Sequence, residues 1–378
     1  MSLNLQQALQ YLCDQEGSDL HVKAGSPPMV RISGELAPLP LAEPLTPDDT
    51  AGAVREMLRD PVRLQEMESE GEVDFAYAVP GLARFRVNAF RQRGSVSIVC
   101  RRIPYGVTTL AELGHPDAVR EMAEEPRGIV LVTGTTGSGK STTLAAMVDH
   151  VNSTAARHIV TIEDPIEFLH SDKRSVINQR EIGSDTGSFG RALRRVLRQD
   201  PDIILIGEMR DEETVQTALS AAETGHLVLS TLHTADAPET INRVIDFFPP
   251  HQHNQVRAML SSTLKGVISQ RLVPSLDGGR VAALEILRTT GRVRDAIMNP
   301  DETALLPTII SEGAFYGMQT FDQALFAHVQ GGRISRDEAL AAATSPQDFK
   351  LLLAAEGRVG TSMADVLQTP AAPVGAGD

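Results

Sequence analysis

The sequence predicts an α/β protein in which a small α+β domain precedes a core built on a parallel sheet and a set of C-terminal helices. Between 73 and 103, the stretches VDFAYAV and ARFRVNAFRQRGSVSIVCRRI alternate apolar and polar residues, as antiparallel strands do. From 118 onward, short apolar runs alternate with helical stretches, which is typical of a parallel sheet with crossover helices. From about 290, the amphipathic pieces ALFAHVQ and DEALAAA indicate helices.

The first domain is expected to open with a helix within 1–22 that leads into an extended region. One face of that helix is apolar and carries Leu5, Ala8, Leu9 and Leu12. The stretch from Pro27 to Pro44 indicates short strands and turns, because it is rich in proline and glycine. A second helix is predicted over 47–69, since Thr46-Pro47-Asp48-Asp49 is a helix start signal.

In the core, apolar strands are predicted at 129–133, 158–162, 203–206 and 227–231. Turn residues and weak periodicity in PYGVTTLAELGHPD indicate a linker between the two domains. The predicted organisation is a first domain at 1–103, a linker at 104–117, a core at 118–289, a helical region at 290–366 and a disordered tail at 367–378.

Composition and charge restrict the class of protein. With 42% hydrophobic and 22% charged residues among 378, the chain has the composition of an ordinary soluble protein, and no apolar run is long enough to span a membrane. The N-terminus lacks the pattern of a signal peptide, and Cys13 and Cys100 stand alone, so a reducing cytoplasm is expected. The net charge of −14 argues against general nucleic-acid binding.

The stretch VTGTTGSGKSTT at 132–143 has the spacing of a phosphate-binding loop after a predicted strand. Its glycines let successive backbone N–H groups face phosphates, Lys140 neutralises the β and γ phosphates, and the Ser141 hydroxyl can bind Mg²⁺. The helix that follows adds its positive dipole end. A chance glycine-rich turn is the alternative, and the strand before the loop and the helix after it argue against that.

Two further predicted strands end in carboxylates. VTIEDPIEF ends a strand in Glu163 and Asp164, where a carboxylate can orient or deprotonate an attacking water. The alternative is a solvated turn closed by Pro165. IILIGEMRDEET carries Glu208 after another strand, with Gly207 where such motifs usually have an aspartate. That departure leaves Glu208 as the main acid and argues against direct Mg²⁺ binding by this strand.

ETGHLVLSTLHT places His226 and His233 at the two ends of one strand, roughly 23 Å apart. Two residues that far apart cannot share a metal ion. Either histidine is a hydrogen-bonded structural residue or a sensor of the γ-phosphate that links hydrolysis to motion.

These blocks, in this order, resemble the secretion-ATPase superfamily, the motors of type IV pili and type II secretion. The resemblance covers about 1–365. The stretches GSDLHVKAGSPPMVRISGEL, ARFRVNAF, TIEDPIEF, GEMRDEETVQTALSAAETGHLVLSTLHT and YGMQTFDQAL are similar to the PilT branch, the twitching-motility ATPases.

The resemblance implies a homohexameric ring of subunits, each with a PAS-like N-terminal domain and a RecA-like ATPase core. The active site would lie between these domains. Glu163 would be the general base, Glu208 the second acid, and His226 and His233 the histidine-box residues. ATP and Mg²⁺ would be bound by Gly134, Thr135, Thr136, Gly137, Ser138, Gly139, Lys140, Ser141 and Thr142.

Arginines of the same or a neighbouring subunit would complete such a site, because the transition state spreads negative charge over the γ-phosphoryl oxygens. Arg84 and Arg210 are the preferred candidates, and for either one a surface salt bridge is the alternative. The other candidates are Arg86, Arg101, Arg194, Arg195 and Arg198.

The function implied is a cytoplasmic motor that retracts pili, peripheral at the inner face of the inner membrane, with a platform protein and a paralogous retraction ATPase as partners. QRLVPSLDGGRVAALEIL lacks the tetracysteine segment that assembly and secretion motors usually carry there, which favours retraction. VRDAIMNPDE departs from the helix usual in retraction motors, which leaves an accessory PilU-like motor open. An extension or secretion motor, a nucleotide-gated adaptor and a nucleic-acid translocase stay open as well.

Overall fold

The structure is a computed structural model that describes residues 4–103 and 106–355. The predicted tail at 367–378 and the last part of the predicted helical region lie outside the described residues. The described residues fold as two compact units, one comprising 4–103, 106 and 167–169 and the other comprising 107–166 and 170–355. In the described part of the chain, none of the helices has the length and apolar character needed to cross a membrane.

The first unit is a six-stranded antiparallel sheet in the order β3-β2-β1-β6-β5-β4, with three helices. Its elements are α1 (Leu5–Asp14), β1 (Asp19–Lys23), β2 (Met29–Ile32), β3 (Glu35–Pro38), α2 (Pro47–Met57), α3 (Pro61–Ser69), β4 (Glu72–Val79), β5 (Ala83–Gln92) and β6 (Ser95–Ile103).

Local sequence signals account for most of this unit. All four residues of the predicted apolar face of α1 are buried in one core with the sheet. Thr46 forms a capping box with Asp49 at the predicted start of α2. The prediction of one helix over 47–69 is wrong, because two helices occupy this range. Pro61 cannot continue a helix from the preceding turn, and Asp60 instead caps a new one.

The second unit contains a seven-stranded sheet in the order β13-β12-β7-β11-β10-β8-β9. Its elements are α4 (Asp117–Ala123), β7 (Gly128–Thr133), α5 (Lys140–Thr154), β8 (His158–Glu163), β9 (Val176–Glu181), α6 (Phe189–Val196), β10 (Ile203–Ile206), α7 (Glu212–Glu223), β11 (Leu227–Leu232), α8 (Ala237–Asp246), α9 (His253–Thr263), β12 (Leu264–Pro274), β13 (Arg280–Arg288), α10 (Gly291–Met298), α11 (Leu306–Glu312), α12 (Phe321–Gln330), α13 (Arg336–Ala342) and α14 (Pro346–Ala354).

The parallel sheet is buried on both faces, as such sheets require. Along β7, Ile129 and Leu131 face one core, which α6 to α11 cover. Val130 and Val132 face the opposite core, which α4 and α5 cover. All four predicted strands are confirmed. Six neighbouring strands of the sheet run parallel to one another, namely β12, β7, β11, β10, β8 and β9, whereas β13 pairs with β12 in the antiparallel direction. This arrangement brings the carboxyl ends of the strands to one edge, where ligands bind in α/β proteins.

The predicted C-terminal helices are confirmed as far as the structure describes them. Phe321 of α12 and Phe349 of α14 are buried in a separate small core with Val273 and Val281, which come from the β12–β13 hairpin. The fold class predicted from the sequence, an α+β domain followed by an α/β core and C-terminal helices, is therefore confirmed.

Glu285 on β13 should make stability fall as the pH rises. It is 8% exposed and accepts a hydrogen bond of 2.8 Å from the Ala237 N–H. Burial first, and then the carboxylates of Asp236 and Asp322, raise its pKa from 4.5 to about 7. Between those values the folded chain holds a proton that the unfolded chain has lost, so stability present below pH 4.5 is lost on the way to pH 7.

We expect Glu285→Gln to stabilise the second unit by up to about 3 kcal/mol at pH 8 and to change little at pH 4.5. Glutamine keeps the acceptor for the Ala237 N–H and removes the ionisation. Urea unfolding at the two pH values measures the difference, with the exposed Glu223→Gln as the control. An equal effect of Glu285→Gln at both pH values would contradict a raised pKa of Glu285 in the folded chain.

Candidate active site

The predicted phosphate loop connects β7 to α5, and its backbone depends on glycine. Gly134, Gly137 and Gly139 have φ angles of +141°, +78° and +91°, which other residues rarely adopt. A Cβ on Gly134 would lie 2.4 Å from the Gln270 backbone oxygen, and one on Gly139 would lie 2.6 Å from the Gln270 Nε2 atom. Close approach of β12 therefore requires glycine at both positions.

Lys140 is the first residue of α5, and its ammonium group lies against the backbone of the phosphate loop. The side chain is 8% exposed, and Nζ donates 2.9 Å hydrogen bonds to the carbonyl oxygens of Gly134 and Thr135. The tip from Thr135 to Gly137 is exposed, whereas Ser138 is buried. An exposed loop with a cation and a helix N-terminus behind it has the chemistry to bind phosphate groups. All nine predicted nucleotide residues, 134–142, lie in this loop or in the first turn of α5.

The two predicted acids leave neighbouring strands at the same edge of the sheet. Ile206 of β10 pairs with Ile162 of β8. The next residues, Gly207 and Glu163, are therefore side by side, and Glu208 follows Gly207. The Gly207 N–H donates a 2.8 Å hydrogen bond to the Ile162 carbonyl oxygen. From strand order and the usual strand spacing, β10 and β8 lie about 10 and 14 Å from β7, which carries the phosphate loop.

Hydrogen bonds fix the Glu163 carboxylate. The Thr161 hydroxyl donates to its Oε1 atom at 2.5 Å, and the Gln179 amide donates to the same atom at 3.3 Å. Thr161 lies on the same strand as Glu163, while Gln179 lies on the adjacent strand β9. Neither partner was predicted from the sequence. Thr161 falls within the TIEDPIEF block, but Gln179 belongs to a strand that was not predicted.

Glu208 forms a cluster with two basic side chains. Arg210 makes an ion pair with its carboxylate, and His233 Nε2 lies 3.5 Å from Glu208 Oε2. The Glu208 side chain is only 14% exposed, whereas Arg210 and His233 are 65% and 53% exposed. The structure thus places the second acid, one predicted arginine and one predicted histidine in a single group that opens to the surface.

His226 lies at the other edge of the sheet. It directly precedes β11, and the Gly128 N–H at the start of β7 donates to its carbonyl oxygen. The His226 Nδ1 atom lies 3.0 Å from the Ala221 carbonyl oxygen. The sequence placed the two histidines at opposite ends of one strand, and β11 does separate them. Within one chain, His226 is therefore not near the phosphate loop, and its catalytic role remains a prediction.

Arg84 belongs to the first unit. It lies on β5, between Ala78 of β4 and Ile103 of β6 in register. Its role as an arginine finger remains a prediction.

Metal binding at this site would depend on the nucleotide. Within 4–103 and 106–355, no group of three or more His, Cys, Asp or Glu side chains could hold a metal ion. Ser141 lies in the first turn of α5, next to Lys140. A single hydroxyl beside a phosphate site fits Mg²⁺, which keeps several waters and takes few protein ligands when phosphates supply others.

Fold and site together are those of a phosphate-loop ATPase. The family model described as type II/IV secretion system protein matches residues 66–306. The chain is 48% identical over 347 residues to the type IV pilus retractation ATPase PilT of Pseudomonas aeruginosa, covering 92% of this chain and 100% of that protein. It is 41% identical to the type IV pilus ATPase PilU of the same organism, covering 93% and 91%.

Among solved structures, the pilus retraction motor PilT with bound ADP superposes with a TM-score of 0.84 at 43% identity, covering 92% of this chain and 99% of that one. The chain belongs to the type II/IV secretion system protein family, and the resemblance to the twitching-motility ATPases is confirmed.

Proposed function

We propose that this chain is a hexameric motor that couples ATP hydrolysis to rotation between its two units and drives the retraction of type IV pili. The observation that carries the proposal is the 48% identity to a pilus retraction ATPase over the whole length of that protein. The phosphate loop and both carboxylates lie at one edge of the sheet, as an ATP-hydrolysing site needs. Twitching motility would be the outcome in the cell.

In this proposal, Lys140 exchanges the carbonyl oxygens of Gly134 and Thr135 for the β and γ phosphates of ATP. Bound Mg²⁺, with Ser141 as its protein ligand, would supply charge neutralisation between these phosphates. Glu163 accepts a proton from the attacking water, and its Oε1 is held in place by Thr161 and Gln179.

Glu208 orients the same water and holds Arg210 and His233 in position. Arg210 is then available to stabilise the charge that develops on the γ-phosphoryl oxygens, with Arg84 as the second candidate. His233 senses the loss of the γ-phosphate through Glu208, which lies 3.5 Å away. His226 is proposed as the second histidine-box residue.

As a motor, the chain would form a homohexameric ring. The ring would sit in the cytoplasm against the inner face of the inner membrane and act on a platform protein of the pilus machinery there. Release of the γ-phosphate would loosen contacts between the units and permit rotation, as in other phosphate-dependent switches. A paralogous retraction ATPase is a further proposed partner.

A second candidate is an accessory retraction motor of the PilU type. The 41% identity to PilU over 93% of this chain favours it. An extension or secretion motor is less well supported, because the sequence has only two cysteines, both in the first compact unit, and so no tetracysteine segment.

Counting surface pili in cells that lack this chain distinguishes the candidates. A retraction motor predicts an excess of pili and no twitching, which the wild-type gene restores. An accessory motor predicts a near-normal pilus number with retraction that fails only under load. Cells without pili would contradict retraction and indicate an extension motor.

A further inference from the structure

A chain of hydrogen bonds runs from the phosphate loop through the interior of the second unit. Gln270 on β12 is 3% exposed, and its Nε2 atom donates to the Ser138 carbonyl oxygen at 2.6 Å. The Thr143 hydroxyl, fully buried on α5, donates to Gln270 Oε1 at 2.8 Å. His115 Nε2 lies 2.9 Å from the Thr143 Oγ1 atom.

All hydrogen bonds in this chain donate in the same direction, towards the phosphate loop. Because the Thr143 hydroxyl proton goes to Gln270, its oxygen must accept from His115, which places the imidazole proton on Nε2. Donation then passes from His115 to Thr143, to Gln270 and to the loop carbonyl. Hydrogen bonds aligned in this way polarise one another in a low-dielectric interior.

The end of this chain sets the orientation of one peptide group in the loop. In a trans peptide the C=O and the following N–H point in opposite directions. Holding the Ser138 carbonyl against Gln270 therefore turns the Gly139 N–H away from β12. Backbone N–H groups of this loop are the donors for nucleotide phosphates, so the amide of Gln270 determines where one of these donors points.

The other end of this chain of hydrogen bonds, His115, lies in a hydrogen-bonded turn at 107–116, directly after the first unit in sequence. Thr109 and Glu112 cap each other's backbone N–H groups, and Leu110 is buried in the core shared with α5. Burial, and then the nearby Arg333, lower the pKa of His115 to about 4, so the imidazole is neutral at pH 7.

We propose that His115, Thr143 and Gln270 are positioning residues that shape the phosphate loop for nucleotide. Through the same hydrogen bonds, nucleotide binding in the loop affects the turn at 107–116. None of the three needs to touch the nucleotide. The inference concerns the nucleotide site and is independent of whether the motor retracts or extends pili.

The test measures the affinity of the purified full-length chain for ADP. His115→Leu and Gln270→Met should each weaken ADP binding on the order of fivefold or more, because each loses at least one buried hydrogen bond. Methionine at 270 has a length similar to that of glutamine and no charge, but it cannot donate to the loop carbonyl. His115→Gln should restore affinity, because its Nε2 can donate to the same hydroxyl. His150→Leu, which removes a histidine bonded to Glu124 at the far end of α5, is the control and should bind normally.

A double variant distinguishes an effect that passes through the hydrogen bonds from independent damage to the nucleotide site. His115 and Gln270 are joined only through Thr143 in this chain of bonds. If His115 acts on the loop through Gln270, His115→Leu should add little to the loss of affinity once Gln270→Met is present. Additive losses, or a His115→Gln variant as weak as His115→Leu, would overturn the proposal. Should His115→Leu fail to fold, Thr143→Val against Thr143→Ser gives the same comparison.

Hydrogen exchange tests the second half of the proposal. ADP should slow amide exchange in 107–116 of the wild-type chain, and this protection should be lost in Thr143→Val at saturating ADP. Equal protection in the wild-type chain and in Thr143→Val would show that these hydrogen bonds do not couple ADP binding to the turn at 107–116.

Discussion

Replacing Glu208 with glutamine is expected to lower kcat for ATP hydrolysis on the order of a hundredfold or more while ADP affinity stays within a few-fold. Glutamine has the shape of the native side chain, but it cannot carry the charge that pairs with Arg210 and faces His233. The catalytic group would lose its alignment with the attacking water, whereas the phosphate loop would be untouched.

Phosphate release and ADP binding measured on the same preparation check this result. Glu223→Gln, which alters an exposed carboxylate at the C-terminal end of α7, should behave as wild type. A Glu208→Gln enzyme with normal turnover would remove Glu208 from the mechanism and leave Glu163 to act alone among the two predicted acids.

Replacing Lys140 with alanine should abolish hydrolysis and also weaken nucleotide binding. The ammonium lies directly against the loop backbone, held by the carbonyl oxygens of Gly134 and Thr135. Without it, the negative charge of the β and γ phosphates has no counter-charge from the loop, so both ground state and transition state lose stabilisation.

ATP turnover and equilibrium binding of ADP measure the two effects. The exposed Lys350→Ala on α14 is the matched control and should retain both activities. Turnover above a few per cent in Lys140→Ala would show that the loop does not bind the γ-phosphate in the way proposed. The contrast with Glu208→Gln is informative, because only the lysine variant should lose affinity.

Local patterns were enough to predict where the main residues of the candidate site lie. The phosphate loop, Glu163 and Glu208 each follow an apolar run, and the carboxyl ends of parallel strands meet at one edge. Alternation alone also predicted β4, β5 and β6 of the first unit. In each of these cases, the information lies within ten or so consecutive residues.

What the sequence did not reveal depends on distant partners. β9 was missed because VINQRE has mixed polarity, and its register with β8 is what brings Gln179 to Glu163. Gln270 contacts a loop more than a hundred positions earlier in the chain, and only the pairing of β12 with β7 brings the two together. Gln270 is one of four polar residues within LKGVISQRLV, so nothing in the local pattern distinguishes it from the others.

The most direct test of the retraction motor is to watch labelled pili on living cells whose only copy of this chain carries Glu208→Gln. We expect pili to extend normally and then remain extended, so that they accumulate on the surface. Pili that shorten at the wild-type frequency would contradict hydrolysis at this site as the source of retraction. Cells that never extend pili would contradict the direction assigned to the motor.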